Sequence, residues 1–233
     1  MSSPTRTAST PVQSEPLDDQ WPPRLRLLVG AACMPLTALT LLATGPFDPF
    51  DDAAAPRVQL AQLPGHVGEV TVLGGIELVA ALLFGGLVLA FAGLTRGRGR
   101  GLGNAGAVFG VMGVVGMSLI AVHHWLYVAV APLPRTTAVA VVDRLDHAAG
   151  PEVFLLFVAA PVAVLLFVLA GFRAGFVPMP ALVLTIAFFL GELVPGLPGG
   201  ELVPLLLMLV AQSWIAWGLV RHSEELSDAA RSR

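Results

Sequence analysis

The sequence predicts an all-α membrane protein: a polytopic bundle of six transmembrane helices, with a short amphipathic helix on the outer surface between the third and fourth spans. Hydrophobic residues make up 55% of the 233-residue chain and charged residues only 12%, whereas soluble domains carry roughly 25% charged residues. Six apolar runs approach the roughly 20 residues that a helix needs to cross a bilayer. No alternating pattern indicates a barrel, so these runs must pair their backbone groups as helices.

The six predicted spans differ in length but share this apolar character. The third is long enough for its last turns to leave the hydrocarbon, and the fifth is short and begins among prolines. In chain order they are Leu25–Thr44, Val72–Leu94, Leu102–Ala131, Glu152–Phe172, Val177–Val194 and Leu202–Val220. They form one domain over residues 24–221. Residues 1–23, rich in Ser, Thr and Pro, predict a disordered tail, and residues 222–233 a tail that extends the last helix.

The placement of arginine predicts the orientation, because cytoplasmic loops carry an excess of basic residues. Arginines precede the first span, fill the second and fourth connections and follow the last span: Arg24, Arg26, Arg96, Arg98, Arg100, Arg173 and Arg221. The alternate connections hold Asp48, Asp51, Asp52, Asp143, Asp146, Glu192 and Glu201, with only Arg57, Arg135 and Arg144 as basic residues. Both termini are therefore expected in the cytoplasm. The absence of lysine and the excess of Ala, Gly, Val and Leu suggest a bacterial inner membrane.

The first span also has features of a signal peptide, since arginines precede it and small residues, Ala43 to Gly45, follow it. Its apolar stretch, however, exceeds the roughly 7–15 residues of a signal peptide's apolar region. We therefore expect the first span to be retained in the membrane.

A ridge of glycines marks the third span at spacings of three and four residues: Gly103, Gly106, Gly110, Gly113 and Gly116. Small residues let helix backbones approach closely in lipid, where no hydrophobic force drives helices together. The ridge predicts tight packing near the centre of the bundle. It also offers a surface for association with other membrane proteins or with a second copy, beside the bilayer lipids themselves.

The predicted topology gathers the candidate functional residues at the outer side. Every histidine except His222 falls there, whereas the cytoplasmic side has arginines but few possible ligands. His123 and His124 end the third span beside Trp125 and Tyr127, at the depth of the interfacial aromatic belt. Adjacent residues on a helix point about 100° apart, so only one of the two imidazoles can face the interior. Two interfacial histidines are one interpretation; a metal or haem ligand, or a proton carrier, is the other.

A second candidate lies between the third and fourth spans, where Val139–Ala149 has the pattern of an amphipathic helix on the outer surface. Asp143 and His147 are four positions apart and are neighbours on that helix. A carboxylate beside an imidazole suits zinc or manganese. The alternative interpretation is a solvated polar face.

Two glutamates have no structural explanation in the sequence. Glu69, Glu152 and Glu201 each start a helix, where acids are favoured by the helix dipole. Glu77 instead lies inside the second span, where a charge is costly unless it is hydrated, paired or protonated. Glu192 lies in the last turn of the fifth span, at the unfavourable end of the dipole. Both are candidates for a buried polar or transport role.

The motifs that would indicate specific chemistry are missing from the sequence. It has one cysteine, no basic patch with interleaved aromatic residues, no phosphate-binding glycine loop and no nucleophile elbow, which excludes disulfide frameworks and nucleic-acid binding and disfavours catalysis. The leading hypothesis is a non-catalytic membrane partner, sensor or assembly factor with a polar cluster at its outer face. The alternatives are a small proton-coupled transporter that uses Glu77 and Glu192, and a redox protein that binds a divalent metal or haem through the outer histidines.

Overall fold

The structure is a computed structural model that describes residues 23–49, 56–94, 99–148, 151–192 and 202–231. Within these ranges the chain forms helices and no strand. The α-helices are, in chain order, α1 (Pro23–Leu42), α2 (Pro56–Gln62), α3 (Val67–Leu94), α4 (Arg100–Val130), α5 (Arg135–Ala148), α6 (Pro151–Ala174), α7 (Met179–Glu192) and α8 (Leu202–Arg231).

Five of these helices contain a segment that is long and apolar enough to cross a membrane, which confirms the all-α class and its compatibility with a membrane protein. These segments are Leu25–Leu42, Val67–Ala92, Arg100–Val130, Leu155–Ala174 and Val203–Arg221. Helix α7 is apolar over Met179–Gly191 but shorter, because its 14 residues extend only about 21 Å at 1.5 Å per residue. The fifth predicted span and the total of six therefore stay predictions.

The long helices and α7 form a closed ring. Around it, α1 contacts α3, α3 contacts α4, α4 contacts α6, α6 contacts α7, α7 contacts α8, and α8 returns to α1. Neighbours run antiparallel: Gly85 of α3 lies against Val114 of α4, while Gly110 of α4 lies against Val88 of α3. Helices α1 and α4 end, and helices α3 and α6 begin, at the same end of the ring. His66, His123 and His124 lie there, so we call it the histidine end. The opposite end, with Arg26, Arg100 and Arg173, is the arginine end.

The glycine ridge of α4 faces the interior of the chain's own bundle. All five of its glycines are buried, and a side chain at Gly113 would collide with the backbone of Ala160 on α6. The ridge thus gives the tight packing expected of it, but α4 is a member of the ring rather than its centre. The glycines cover only one face of the helix, and the opposite face exposes Val108 and Val111.

The connection from α6 to α7 is closed by a glycine that the backbone requires. Gly175 has φ of 91°, a left-handed conformation that residues with a Cβ rarely adopt. Phe176 donates its N–H to the Gly171 carbonyl at 3.1 Å, and Gly175 donates to the Phe172 carbonyl at 3.1 Å. This pair of bonds is a Schellman motif, which satisfies the last carbonyls of the helix and turns the chain back.

Apolar packing fills the ring at the arginine end. Phe91 of α3 and Phe167 of α6 are fully buried, with ring centroids 5.0 Å apart, and side chains of α1, α7 and α8 complete this core. Nearer the histidine end, side chains of the ring helices line a partly open cavity of about 540 Å³. It is lined by Thr37, Leu41, Phe84, Met117, Val158, Ala160, Pro161, Val162, Val164, Leu165, Phe188, Phe189, Leu205 and Met208.

Helix α5 covers part of the histidine end. Its Ala138 and Val142 are buried in a small apolar cluster with Tyr127 and Val130 of α4 and Val70 of α3. The short helix α2 packs against α5. A helix therefore lies between α4 and α6 over Arg135–Ala148, packed near the start of α3 and the end of α4. That it is an amphipathic helix on the outer surface stays a prediction.

Candidate functional site

A carboxylate and an imidazole meet inside the bundle near the histidine end. Nδ1 of His124 on α4 lies 2.7 Å from Oε2 of Glu77 on α3. The side chains are only 15% and 14% exposed. A bond of this length between a carboxylate and a ring nitrogen is a charge-assisted hydrogen bond, so Glu77, which had no partner in the sequence interpretation, is paired across two helices.

The close approach of α3 and α4 beside this pair depends on a glycine. Gly74 lies one turn before Glu77, and a side chain there would collide with the indole of Trp125 and the carbonyl of Ala121. In its place the Trp125 ring crosses α3, and its Nε1 donates a hydrogen bond of 3.2 Å to the Thr71 carbonyl. Gly74 and Trp125 therefore set the distance at which His124 meets Glu77.

The two adjacent histidines have different neighbours. Their ring centroids are 6.2 Å apart, and the ring of His123 lies 4.9 Å from that of Tyr127. Tyr127 is fully buried under α5. His124 thus faces α3 and the carboxylate, while His123 packs along its own helix in an aromatic contact.

The hydrogen shared by this pair has more than one possible source. An imidazolium, a neutral imidazole or a protonated carboxyl can each supply it. The pair is net neutral when imidazolium meets carboxylate or when neutral imidazole meets a protonated carboxyl, and it is negatively charged when neutral imidazole meets carboxylate. Because charge is costly away from water, each proton gained or lost changes the free energy of the contact between α3 and α4.

A second carboxylate–imidazole pair provides an internal comparison. Nδ1 of His66 lies 2.5 Å from Oε2 of Glu69 at the start of α3, where the two side chains are 42% and 50% exposed. Glu69 is in the first turn of its helix, as the helix-dipole argument expected. The bond to His66, three positions earlier, was not expected from the sequence. Water solvates this pair, in contrast to Glu77 and His124.

The other candidates are only partly described. Asp143 is exposed on α5, whereas the side chains of His147 and Glu192 lie outside the described part of the structure. A histidine that bonds a carboxylate through Nδ1 can ligate metal through Nε2, and His124 has this arrangement. Among the described side chains, however, no three His, Cys, Asp or Glu residues form a group that could hold a metal ion. The metal site of His123, His124, Asp143 and His147 stays a prediction.

One buried polar residue was missed from the sequence. Gln212 on α8 is 2% exposed, and neither its Oε1 nor its Nε2 has a hydrogen-bond partner in the described structure. A carboxamide in the middle of an apolar span is the signal that could have identified it, since polar side chains inside a membrane are rare and usually functional.

Comparisons with known proteins do not place the chain in a family. No family model matches it, and neither the curated proteins nor the solved structures contain a match.

Proposed function

We propose that this chain is a non-catalytic sensor in the inner membrane of a bacterium, and that it responds to protons through Glu77 and His124. The observation that carries the proposal is the 2.7 Å contact between these two side chains, both mostly buried between two membrane-length helices. A proton taken up there changes the charge inside the α3–α4 interface. This change acts on the contact between α3 and α4, and the proposed response needs no bound substrate.

The proposed topology has six spans with both termini in the cytoplasm, and the histidine end faces outward. Helix α7 is the fifth of these six spans, and its contacts with both α6 and α8, which close the ring, support this assignment. Helix α5 lies on the outer surface as an amphipathic helix, with Ala138 and Val142 buried toward the bundle and Asp143 and Arg144 exposed. This orientation places His124 within reach of protons outside the cell.

Reporter fusions test this orientation. Green fluorescent protein joined after Arg233 is expected to fluoresce, because it folds in the cytoplasm, whereas alkaline phosphatase joined there is expected to be inactive. Alkaline phosphatase inserted after Pro134, at the start of α5, is expected to be active. The reversed result at both positions would refute the proposed orientation.

Trp125 is a reporter for the proton response, since it follows His124 directly and spans the same helix interface. In a variant that keeps only this tryptophan (Trp21, Trp214 and Trp217→Phe), the emission is expected to show a transition as the pH is lowered, because a proton taken up by the pair changes the charge beside the indole. Glu77→Gln and His124→Gln are each expected to shift or abolish the transition.

Other titratable groups near the pair supply the controls. His123 lies beside it on α4, His66 and Glu69 lie toward the start of α3, and Asp48 and Asp143 lie in the segments next to these helices. His123→Gln and Glu69→Gln are expected to leave the transition in place. A transition that survives in Glu77→Gln and His124→Gln but disappears in either control would assign the response to another group.

A proton-coupled transporter is the second candidate, and the cavity favours it. Phe84 and Met117, which line the cavity, lie seven residues from Glu77 and His124 respectively, so the pair is about 10 Å from the cavity along both helices. For this function, proteoliposomes that contain a pH-sensitive dye should acidify in the presence of substrate, and Glu77→Gln should abolish the flux. A pH transition at Trp125 without proton flux favours the sensor.

Association with another membrane protein or a second copy stays part of the proposal. The glycines of α4 are occupied within the chain, so such a contact would use the exposed valine face of α4 instead.

A further inference from the structure

Two short helices cover part of the histidine end of the ring, and they are joined to each other. Arg135 at the start of α5 donates from its guanidinium to the Arg57 carbonyl of α2 at 3.3 Å. The 3-10 helix Leu63–Gly65 connects α2 to the start of α3, and its Leu63 is buried in one apolar cluster with Val142 of α5. We call α2, this 3-10 helix and α5 the cap.

The cap covers turns of α3 and α4 that lie between the Glu77–His124 pair and the histidine end. Val70 of α3 and Tyr127 of α4 are fully buried in the cluster that the cap completes. Tyr127 follows His124 by three residues, about 5 Å along α4, and its ring centroid lies 4.9 Å from that of His123. Opening the cap would therefore bring water to the packing next to the pair.

The cap is attached to the bundle by a small apolar contact. Among the described residues of α5, Ala138 and Val142 are buried, and most of the others are exposed. A segment with few buried apolar contacts opens locally at a lower free energy than that of global unfolding. The cap can therefore open and close while the ring stays folded.

The charge of the pair depends on the same access of water. When neutral imidazole meets carboxylate the pair is negatively charged, and one added proton makes it net neutral. A charge is costly away from water, so the closed cap favours the net neutral pair and the open cap favours the charged pair. Because such linkage is reciprocal, a proton bound at the pair also favours the closed cap.

We propose that proton uptake by Glu77 and His124 closes the cap over the histidine end, so that α5 changes its position with pH. The inference rests on the proposed proton response and adds the element that transmits it. The exposed side of α5, which includes Asp143 and Arg144, is then held in one position only when the pair is protonated.

Other charged and titratable groups lie near the pair and the cap. The described ones are His123 on α4, His66 and Glu69 at the start of α3, Asp48 after α1, Arg57 on α2, and Arg135, Asp143 and Arg144 on α5. Those on the cap helices are exposed, so solvent and salt screen their interaction with the pair. His123, with its ring centroid 6.2 Å from that of His124, is the main competing group.

Spin-label distances measure the position of the cap on the full chain in bilayer nanodiscs. After Cys33→Ala removes the native thiol, labels at Asn104→Cys and Ala140→Cys, both at exposed positions, join α4 to α5. The distribution is expected to be narrow at mildly acidic pH and to gain a broad component at mildly alkaline pH. Uptake of one proton limits the change in the ratio of the two populations to about ten-fold per pH unit. Labels at Asn104→Cys and Val122→Cys, both on α4, are the matched control and should show one distance throughout.

Glu77→Gln gives the sharpest result because it changes the sign of the response. The amide carries no charge, so the pair is neutral at alkaline pH and becomes positive when His124 takes up a proton. The broad component is therefore expected at acidic rather than alkaline pH. Glu69→Gln, in the exposed pair, and His123→Gln should keep the original sense. An unaltered response in Glu77→Gln, or its loss in either control, would overturn the inference.

Val142→Ala tests the linkage in the reverse direction. It weakens the buried contact of α5 without touching the pair, so the cap opens more readily and the pH midpoint of Trp125 emission is expected to move to lower pH. Leu145→Ala, at an exposed position on the same helix, is the matched control and should leave the midpoint in place. Equal midpoints in Val142→Ala and Leu145→Ala would contradict the linkage.

The two readouts separate this inference from the proposed function. A Trp125 transition with the same α4–α5 distance at both pH values refutes the role of the cap and leaves the proton response intact. Absence of the Trp125 transition refutes the proposed function and this inference with it.

Discussion

The energetic coupling between Glu77 and His124 is the most direct measure of their contact. A double-mutant cycle with Glu77→Leu and His124→Phe replaces each polar group by an apolar one of similar size. Each single variant leaves a buried partner unpaired, whereas the double variant leaves none. The cycle therefore isolates the interaction between the two side chains.

The expected magnitude follows from burial rather than distance. Hydrogen bonds to charged groups contribute about 1.5–3 kcal/mol, whereas hydrogen bonds between membrane helices average about 0.6 and reach about 1.7 kcal/mol. Because the pair is charge-assisted and about 85% shielded from solvent, we expect a coupling near the upper membrane value, about 1.5 kcal/mol. The His66–Glu69 pair has a shorter contact but is about half exposed, so less than about 0.5 kcal/mol is expected there.

The measurement is the free energy of unfolding by sodium dodecyl sulfate in mixed micelles, followed by circular dichroism. All four proteins of each cycle are compared at one pH and one detergent composition. A coupling at Glu77–His124 that does not exceed the coupling at His66–Glu69 would refute the argument that burial makes the internal pair strong.

Three further predictions concern the glycine packing of α4, the tryptophan beside the pair and helix α5. Gly113→Ala is expected to lower the free energy of unfolding by about 1–3 kcal/mol, because the added methyl group overpacks the helix contact. Gly75→Ala has open space at its Cβ and should raise the free energy of unfolding, because alanine favours the helix more than glycine does. Equal effects of the two variants in the same unfolding assay would contradict the close packing at Gly113. Trp125→Phe should cost about 1 kcal/mol because it loses the bond to the Thr71 carbonyl, and an unchanged midpoint would contradict this. If α5 contributes to a metal site, His147→Ala lowers the zinc or manganese content of purified protein measured by mass spectrometry, and unchanged content would exclude its role.

Membrane-length helices were the part of the fold that the sequence predicted well. The predicted second span, Val72–Leu94, lies within α3 and ends with it, and the predicted third span, Leu102–Ala131, differs from α4 by two residues at its start and one at its end. Such segments can be identified from the sequence because the length of a continuous apolar run is sufficient to indicate a membrane-spanning helix. The neighbours of each helix in the ring were not predictable, because they depend on side-chain contacts between segments distant in sequence.

The site was predictable only in parts. The sequence identified Glu77 as a carboxylate that is costly unless hydrated, paired or protonated, and it allowed only one of His123 and His124 to face inward, but it did not select His124. The partner lies 47 positions away. The depth of each residue below the outer end of its span would have suggested this pairing. Glu77 lies five residues after the start of the second predicted span, and His124 lies seven residues before the end of the third. The alignment of α3 and α4 that brings the two side chains together depends on Gly74. The sequence does not show this role, because it requires knowing that Trp125 packs against Gly74.

The proton pair and the cavity share one helix interface, and this predicts that they affect each other. Phe84 and Met117 belong to the cavity wall, and each lies two turns from Glu77 or His124 on the same helix face. A ligand that changes the separation of α3 and α4 at the cavity must also act on the pair, and linkage makes the effect reciprocal. A cavity ligand that does not itself ionise is therefore expected to move the pH midpoint of Trp125 emission, and its affinity should depend on pH in the matching sense. An unchanged midpoint with the ligand bound would show that the two sites act independently.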